Sequence, residues 1–414
     1  MKKILYIMSA VTLLMTVSSC GRDDDFTDSI FDTTVPTVDP NKTTYEFDQW
    51  LYDNFTKPYN VEVQYQFNLP ASDYDFQLAP ADYNRSQLLA HFIRYLFYDV
   101  YTKFAGDDFV KMYGPRIFHF IGSSGYSPST GTEILGLASG GVKITLYKIN
   151  EMKPWSKGVN YTAEDLITLN ENYFHTMHHE FSHILHQTKY YPVTFGQVTS
   201  GSYDPIDWHE RDSVASHSMG YVTHYASSAS YEDFVETISC IITDTDYRWM
   251  NRIINACAAG LRQGDKEEVM ELIEKLNIDV DRAGAHWNNF TLYSEEEYNS
   301  ETGEYESSGR YAVDDHRSNE TVINKSYTGY VPRYRYDAVK KFNSFRNDFI
   351  PWLSYSAKED VAGINAILKK ISIAQSWYGE RWGLDAFEIR KEVIERQNNI
   401  NEYLNNEVQI YDLK

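Results

Sequence analysis

The sequence predicts an α+β fold, with a small, mostly antiparallel sheet in its first half and a mainly helical second half. Apolar residues recur every three to four positions over 86–104, which indicates an amphipathic helix. The segments 116–121, 133–137 and 142–147 are instead short, β-rich and separated by Gly, Ser and Pro, as expected for strands. Helical patterns return at 231–243, 247–262, 266–276, 358–377 and 385–403.

The composition is that of a globular chain and argues against one class of partner. Of the 414 residues, 42% are hydrophobic and 15% are aromatic, which suffices for a large core. The formal net charge is −21. Because so strong an acidic excess repels phosphate backbones and anionic headgroups, nucleic acid is not an expected partner.

The first residues have the pattern of a secretory signal. Two lysines follow Met1, and the apolar stretch 4–17 is too short to span a bilayer. The tetrapeptide 17–20 resembles a bacterial lipobox, which implies that Cys20 is the lipidated first residue of the mature protein. The acidic run 23–25 resembles the surface-export signal of Bacteroidetes lipoproteins. We therefore expect an outer-membrane lipoprotein that contacts the membrane only through its lipid anchor and faces outward, with a periplasmic orientation as the alternative.

The chain is predicted to consist of a signal peptide, 1–19, a flexible tether, 20–45, and one folded domain, 46–414. The tether is rich in Asp, Thr, Pro and Asn and lacks apolar periodicity. Within the domain, 46–190 carries the sheet and 191–414 is mainly helical. A polar stretch at 293–333 is too long for an ordinary loop and is interpreted as an insertion.

One predicted helix carries most of the chemistry. It is expected to begin after Thr162, a favourable N-cap residue followed by acidic residues in the first turn. The helical pattern then continues through Gln187, with a break near Asn170, and ends before Pro192. His179, His183 and His186 lie on the last turns of this predicted helix.

His179 and His183 lie four residues apart, so that their imidazoles project from one helix face, one turn apart. Two such nitrogens can occupy adjacent corners of a zinc tetrahedron. Glu180 is rotated about 100° around the helix from His179 and can take a proton from water that zinc activates. This metalloprotease pattern predicts a zinc-dependent hydrolase with His179 and His183 as ligands and Glu180 as general base. A His-rich surface helix is the alternative.

A catalytic zinc needs a third protein ligand and an open position. His186 lies on nearly the same helix face, but consecutive turns of a straight helix point along a line, so His186 is expected to support a ligand rather than bind the ion. Glu232 and Glu236 share one face of the predicted helix 231–243, which resembles the second metal-binding helix of gluzincins. This resemblance implies Glu232 as the third ligand and Glu236 as the brace of a ligand histidine. The reverse assignment remains open.

Tyr225 precedes Glu232 by seven residues. Some gluzincins place a tyrosine at that offset, where its hydroxyl steadies the oxyanion formed during hydrolysis, and we expect the same catalytic role for Tyr225. The neighbouring His175, His178 and His224 are interpreted as hydrogen-bonding or packing neighbours rather than ligands.

These features together resemble the zinc-binding metallopeptidase lipoproteins of Bacteroidetes, described as substrate import-associated zinc metallohydrolases. The resemblance rests on the lipobox, the strand 140–147, the motif 178–187 and the acidic segment 232–236. It covers most of the mature chain and implies a zincin-like fold, in which the strand before the active-site helix is an edge that binds extended peptide. By that analogy the edge is 142–149. The resemblance also implies TonB-dependent transporters and substrate-capturing lipoproteins as partners.

We therefore expect a surface-anchored zinc metallopeptidase that cleaves peptide or protein substrates before import. Two other classes remain open: a non-catalytic substrate-binding lipoprotein that keeps zinc for structure, and a zinc amidase with a non-protein substrate. Retention of Glu180 argues against the first, because a structural zinc site has no need of a base. Cleavage specificity and oligomeric state do not follow from the sequence.

Overall fold

The computed structural model describes residues 38–68, 77–126, 131, 133–134, 136–139, 142–257, 265–278, 290–315, 334–336 and 363–413. The predicted signal peptide, Cys20 and most of the tether lie outside the described residues, as does the second half of the predicted insertion. The first described helix begins at Tyr45.

Helices dominate the described part of the chain. They are α1 (Tyr45–Leu51), α2 (Lys57–Tyr59), α3 (Tyr83–Ile93), α4 (Asp99–Ala105), α5 (Asp107–Tyr113), α6 (Ala163–Leu169), α7 (His175–Thr188), α8 (Val193–Gln197), α9 (Ser213–Ser218), α10 (Ser230–Thr243), α11 (Asp246–Cys257), α12 (Asp265–Lys275), α13 (Gly363–Trp382), α14 (Ala386–Asn398) and α15 (Ile400–Glu407). Turns of π-helix at Tyr52–Thr56, Arg94–Tyr98 and Asn170–Phe174 each lead directly into an α-helix, and short 3₁₀ turns lie at Ile149–Glu151, Trp208–Glu210 and Tyr225–Ser227. None of the helices described is both long enough and apolar enough to cross a membrane.

The strands of the described residues form a four-stranded central sheet and two smaller sheets. They are β1 (Glu62–Gln64), β2 (Ile117–Phe120), β3 (Gly125–Tyr126), β4 (Glu133–Ile134), β5 (Gly136–Ser139), β6 (Lys143–Leu146), β7 (Phe290–Asn299), β8 (Glu304–Asp315) and β9 (Tyr334–Tyr336). The central sheet has the order β1-β2-β6-β5. Strands β3 and β4 pair with each other, and β7 pairs with β8 and β9, all antiparallel.

The prediction of a mostly antiparallel sheet is wrong for the central sheet. Strands β1, β2 and β6 are parallel, and only β5 runs antiparallel, against β6. A parallel pair needs a long crossover, and helices α3 to α5 supply it between β1 and β2. With three residues, β1 carries too little alternation to be recognised in the sequence.

The predicted peptide-binding edge is also wrong. The strand within 142–149 is β6, whose two sides pair with β2 and β5. The edge of the described sheet on this side is therefore β5, formed by Gly136–Ser139. The reason is that β5 comes just before β6 in the chain and pairs with the side of β6 that was expected to be free.

Strand β5 lies directly against the helix that carries the histidine motif. A Cβ atom at Gly136 would lie 2.1 Å from Thr176 Cγ2 of α7. Because no real Cβ tolerates that distance, glycine is required here for the sheet and α7 to approach. The buried side chains of β2 and β6 belong to the same apolar core as those of α7 and α10.

The start of the histidine helix follows the sequence prediction. Thr162 caps α6 through a capping box with Asp165. The predicted break near Asn170 is the π turn Asn170–Phe174, after which α7 continues to Thr188, before Pro192.

Candidate metal centre

The centre is built where α7 and α10 pack against each other. Helix α7 presents His179 and His183 one turn apart, and α10 presents Glu232 and Glu236 with the same spacing. All four side chains are largely buried: at most 13% of any of them is exposed. The two helices therefore bring together the residues that the sequence places about fifty positions apart.

Three potential ligand atoms form an almost equilateral triangle. His179 Nε2 and His183 Nε2 each lie 3.1 Å from Glu232 Oε2, and the two nitrogens lie 3.1 Å from each other. A tetrahedral zinc ion with ligand distances of about 2.0–2.1 Å has tetrahedron edges of roughly 3.3 Å. The triangle therefore matches one face of a zinc tetrahedron to within a few tenths of an ångström.

Contacts at the Nδ1 atoms of His179 and His183 explain why their Nε2 atoms can bind a cation. His179 Nδ1 lies 2.7 Å from Glu236 Oε1, and His183 Nδ1 lies 2.9 Å from His186 Nε2. When a neutral imidazole donates from Nδ1, its Nε2 carries a lone pair. Two lone pairs and a carboxylate oxygen then converge on one point, a donor set that fits zinc.

The charges around the triangle also favour a cation. Burial opposes a positive charge on His179, but hydrogen bonds with Glu232 and Glu236 outweigh it and raise the pKa of His179 to about 10. Burial likewise opposes the charge of Glu232, yet hydrogen bonds from His179 and His183 lower the pKa of this carboxyl to about 2. The centre is thus an anionic pocket built to hold positive charge.

Glu236 differs from Glu232 because both of its oxygens are already occupied. Oε1 accepts hydrogen bonds from His175 Nε2 at 2.8 Å and from His179 Nδ1 at 2.7 Å. Oε2 accepts one from Thr223 Oγ1 at 2.6 Å. The geometry therefore gives Glu236 the position of a brace and Glu232 that of a ligand. Sequence reasoning missed Thr223, which no motif indicates, and gave His175 no specific role.

Glu180 and Tyr225, the predicted catalytic residues, lie at the same centre. Glu180 is half-buried on α7, close enough to act electrostatically on both His179 and Tyr225. The Tyr225 ring centroid lies 5.8 Å from that of His179. Burial, and then the negative charge of Glu232, raises the pKa of Tyr225, so its hydroxyl keeps its proton and can donate.

The remaining histidines have other contacts. His178 is fully buried on another side of α7, where its Nδ1 lies 2.9 Å from the hydroxyl of Tyr101. His224 is exposed and stacks on Trp208 at 5.5 Å between ring centroids. Within the residues that the structure describes, neither belongs to a group of potential metal ligands.

Among the described residues, two further groups of potential ligands involve His175. In the first, His175 and His179 both hydrogen-bond to Glu236 Oε1, as described above. The second consists of His175, Cys240 and Asp244, and there the guanidinium of Arg252 occupies the place that a metal ion would take. Arg252 Nη2 lies 2.6 Å from Asp244 Oδ2 and 3.5 Å from Cys240 Sγ. Burial raises the pKa of the Cys240 thiol, which therefore stays protonated. We interpret this group as part of the packing around α10.

Comparison with known proteins agrees with this centre. Residues 40–410 match the model of a family described as "Putative zinc-binding metallo-peptidase". A crystal structure of a putative zinc-binding metallo-peptidase from Bacteroides caccae ATCC 43185 is similar, with a TM-score of 0.52, 25% sequence identity, and coverage of 92% of this chain and 100% of that chain. No curated protein matches the chain significantly. The chain therefore belongs to the family described as putative zinc-binding metallo-peptidases, and its metal cofactor is zinc.

Proposed function

We propose that the protein is a zinc-dependent peptidase that hydrolyses peptide bonds with Glu180 as general base. The observation that carries the proposal is the triangle of His179 Nε2, His183 Nε2 and Glu232 Oε2, with 3.1 Å edges and Glu180 on the same helix. A structural zinc site is closed by a fourth protein ligand, whereas a triangle of three leaves one position for water or substrate.

Several residues of the chain have separate roles in hydrolysis. Zinc supplies Lewis acidity, which polarises a carbonyl group and lowers the pKa of water. The Glu180 carboxylate accepts a proton from the attacking water and returns it to the leaving nitrogen. The Tyr225 hydroxyl donates a hydrogen bond to the oxyanion that develops on the carbonyl oxygen. Glu236 and His186 hold the ligand rings in one orientation through their Nδ1 atoms.

We further assign the chain to the gluzincin type of the zincin fold. Two histidines one turn apart and a glutamate from a second helix support this assignment. The antiparallel strand β5 supports it as well, because it lies at the edge of the described sheet and against α7. An extended peptide could pair with this edge by strand addition.

We also propose that the protein is anchored through Cys20 on the outer face of the outer membrane and serves a TonB-dependent import system. The lipobox and the acidic residues after it support this proposal. Replacing Cys20 with Ser should abolish incorporation of labelled palmitate and release the protein from the membrane fraction. Resistance of the protein to protease added to intact cells would place it in the periplasm instead.

The peptidase proposal is tested by Glu180→Gln, which keeps the shape of the side chain and removes the base. We expect full zinc occupancy and a loss of peptide hydrolysis of at least about 100-fold, because a positioned base contributes that much or more. The measurement is mass-spectrometric profiling of a peptide library, with zinc content determined on the same samples. Undiminished turnover in this variant would refute the mechanism.

Glu164→Gln is a matched control, since Glu164 is an exposed glutamate on α6. We expect it to leave zinc content and turnover unchanged. If the zinc-loaded unmutated protein binds peptides but cleaves none of the library, the non-catalytic binding lipoprotein becomes the better account. Cleavage of non-peptide amides alone would favour the amidase.

A further inference from the structure

Aromatic rings lie beside both histidines of the triangle. Beside His179, the Tyr225 ring lies 5.8 Å away, and the Trp208 ring packs edge-on against Tyr225 at 4.9 Å, centroid to centroid. Beside His183, the Tyr231 ring centroid lies 6.2 Å from that of the imidazole. Each imidazole thus lies beside an aromatic wall: Tyr225 and Trp208 form the wall at His179, and Tyr231 forms the wall at His183.

The outer parts of these walls are accessible. Tyr231 is 49% exposed although it directly precedes the ligand candidate Glu232. Trp208 is partly exposed, and Ile206, two residues before it, is 75% exposed. Phe234 offers the contrast on the same helix, since it is completely buried. Single exposed apolar residues are common on proteins, but these lie beside buried metal ligands.

The side chains of the triangle are largely buried. Only 12% of the His183 side chain and 13% of the Glu232 side chain are exposed. The Tyr225 and Tyr231 ring centroids lie 5.8 and 6.2 Å from those of His179 and His183, so a substrate carbonyl at the triangle lies close to both rings. The side chains next to that carbonyl then lie within reach of Tyr231, which is near His183, and of the Tyr225–Trp208 pair, which is near His179.

We propose that Trp208 and Tyr231 determine specificity, and that the centre prefers peptides with a large apolar or aromatic side chain next to the scissile bond. This inference rests on the proposed peptidase function. Burial of such a side chain against an aromatic ring is favourable through the hydrophobic effect and edge-to-face packing. A peptide with alanine at the same position buries too little apolar surface against either wall to bind more tightly.

A basic side chain is the competing preference. Asp207 and Glu210 are exposed on either side of Trp208 along the chain, and aromatic faces also attract cations. Neither carboxylate is buried, so water and salt screen its attraction for a substrate charge. Apolar burial against the rings is not screened, which favours the apolar preference.

The test measures binding separately from turnover. Zinc-loaded Glu180→Gln protein is titrated by calorimetry with four peptides of one sequence whose central residue is Phe, Leu, Ala or Lys. We expect the Phe and Leu peptides to bind at least about tenfold more tightly than the Ala peptide, the scale of a filled apolar pocket. The unmutated protein should show the same ratio in its kcat/KM values.

Substitutions in the two walls then show which residues cause the preference for apolar side chains. Trp208→Ala and Tyr231→Ala, each added to Glu180→Gln, should bring the ratio of Phe to Ala affinity toward one. Tyr231→Phe keeps the ring and should keep the ratio. Zinc content is measured throughout, and we expect one ion per chain in every variant.

The outcomes separate the two proposals. Equal affinity for all four peptides, tighter binding of the Lys peptide, or an unchanged ratio in both alanine variants would overturn the assignment of the walls. If the unmutated protein cleaves peptides without an apolar preference, the specificity proposal is wrong and the peptidase proposal stands. If it binds the Phe and Leu peptides selectively but cleaves none, the peptidase proposal is wrong and the binding role of Trp208 and Tyr231 stands.

Discussion

Glu232 and Glu236 are chemically identical side chains, and their proposed roles differ because their oxygens have different contacts. Glu232 Oε2 faces the Nε2 atoms of both ligand histidines. The oxygens of Glu236 are held by three donors, one each from His175, His179 and Thr223. A carboxylate fixed in this way cannot turn toward the triangle without losing those hydrogen bonds.

Replacing each glutamate with glutamine, its isosteric amide, distinguishes the ligand role from the supporting role. We expect Glu232→Gln to lose zinc, because an amide is a much weaker ligand than a carboxylate in a zinc site. Glu236→Gln should retain zinc with an affinity about 10- to 100-fold weaker, the usual effect of removing a support for a ligand. Chelator competition measures both constants. Zinc loss in Glu236→Gln with full occupancy in Glu232→Gln would reverse the assignment.

Zinc affinity should depend on pH through His179. Its pKa is raised to about 10, so below that pH the ring must give up one proton before Nε2 can bind the ion. Glu232, with its pKa lowered to about 2, is ionised throughout and adds no slope above pH 5. The association constant should therefore rise about tenfold per pH unit between about pH 6 and pH 9. A chelator competition series that gives a flat line would contradict this account.

Among the elements, α10 has to be held firmly because it carries Glu232 and Glu236, and both of its ends are fixed. Near the N-terminal end, Asp233 Oδ2 pairs with Lys370 Nζ of α13 at 2.6 Å, with both side chains completely buried. At the C-terminal end, Arg390 of α14 donates to the Ile241 carbonyl at 3.1 Å. Helices α13 and α14 thus hold in place the helix that carries the proposed third ligand, Glu232.

The buried ion pair predicts a large effect on stability. Lys370→Met leaves the Asp233 carboxylate buried without its partner, which should lower the free energy of unfolding by about 3–5 kcal/mol. Adding Asp233→Asn should recover part of that loss, since no buried charge is then left unpaired. Lys369→Met is the matched control, because Lys369 is the exposed neighbour on the same helix. Urea denaturation measures all three, and equal midpoints for the two lysine variants would show that the pair contributes nothing.

The elements also show what the sequence could and could not predict. Helices α6 and α7, the cap of α6 at Thr162 and the break near Asn170 were predictable because local patterns specify them. The parallel order of the central sheet was not, since β1 has only three residues and no local pattern indicates that β2 and β6 run in the same direction. The contacts of Lys370 and Arg390 with α10 join residues more than a hundred positions apart, and nothing in a single sequence reports them.

Across the whole molecule, the metal centre joins two parts of the chain. The predicted part 46–190 supplies His179 and His183, and the predicted part 191–414 supplies Glu232, Tyr225 and the aromatic walls. An ion bound by both parts should link them in the folded state and have no equivalent site in the unfolded chain. Zinc is therefore expected to stabilise the fold as well as serve catalysis.

Removal of zinc should lower the melting temperature. An ion at a free concentration one hundred times its Kd contributes about 2.7 kcal/mol of stability by mass action. Glu180→Gln should show the same zinc-dependent shift as the unmutated protein, because Glu180 is not a ligand, whereas Glu232→Gln should show almost none. Differential scanning calorimetry with and without a chelator measures the shift, and a large shift that survives in Glu232→Gln would place the ion elsewhere.

Anomalous diffraction at the zinc absorption edge, from crystals grown with zinc, tests the central claim most directly. We expect one strong peak about 2.0–2.2 Å from His179 Nε2, His183 Nε2 and a Glu232 carboxylate oxygen, with Glu236 still hydrogen-bonded to His179 Nδ1. A peak among His175, Cys240 and Asp244 with none at the triangle, or a peak at the triangle ligated by Glu236 in place of Glu232, would contradict the account.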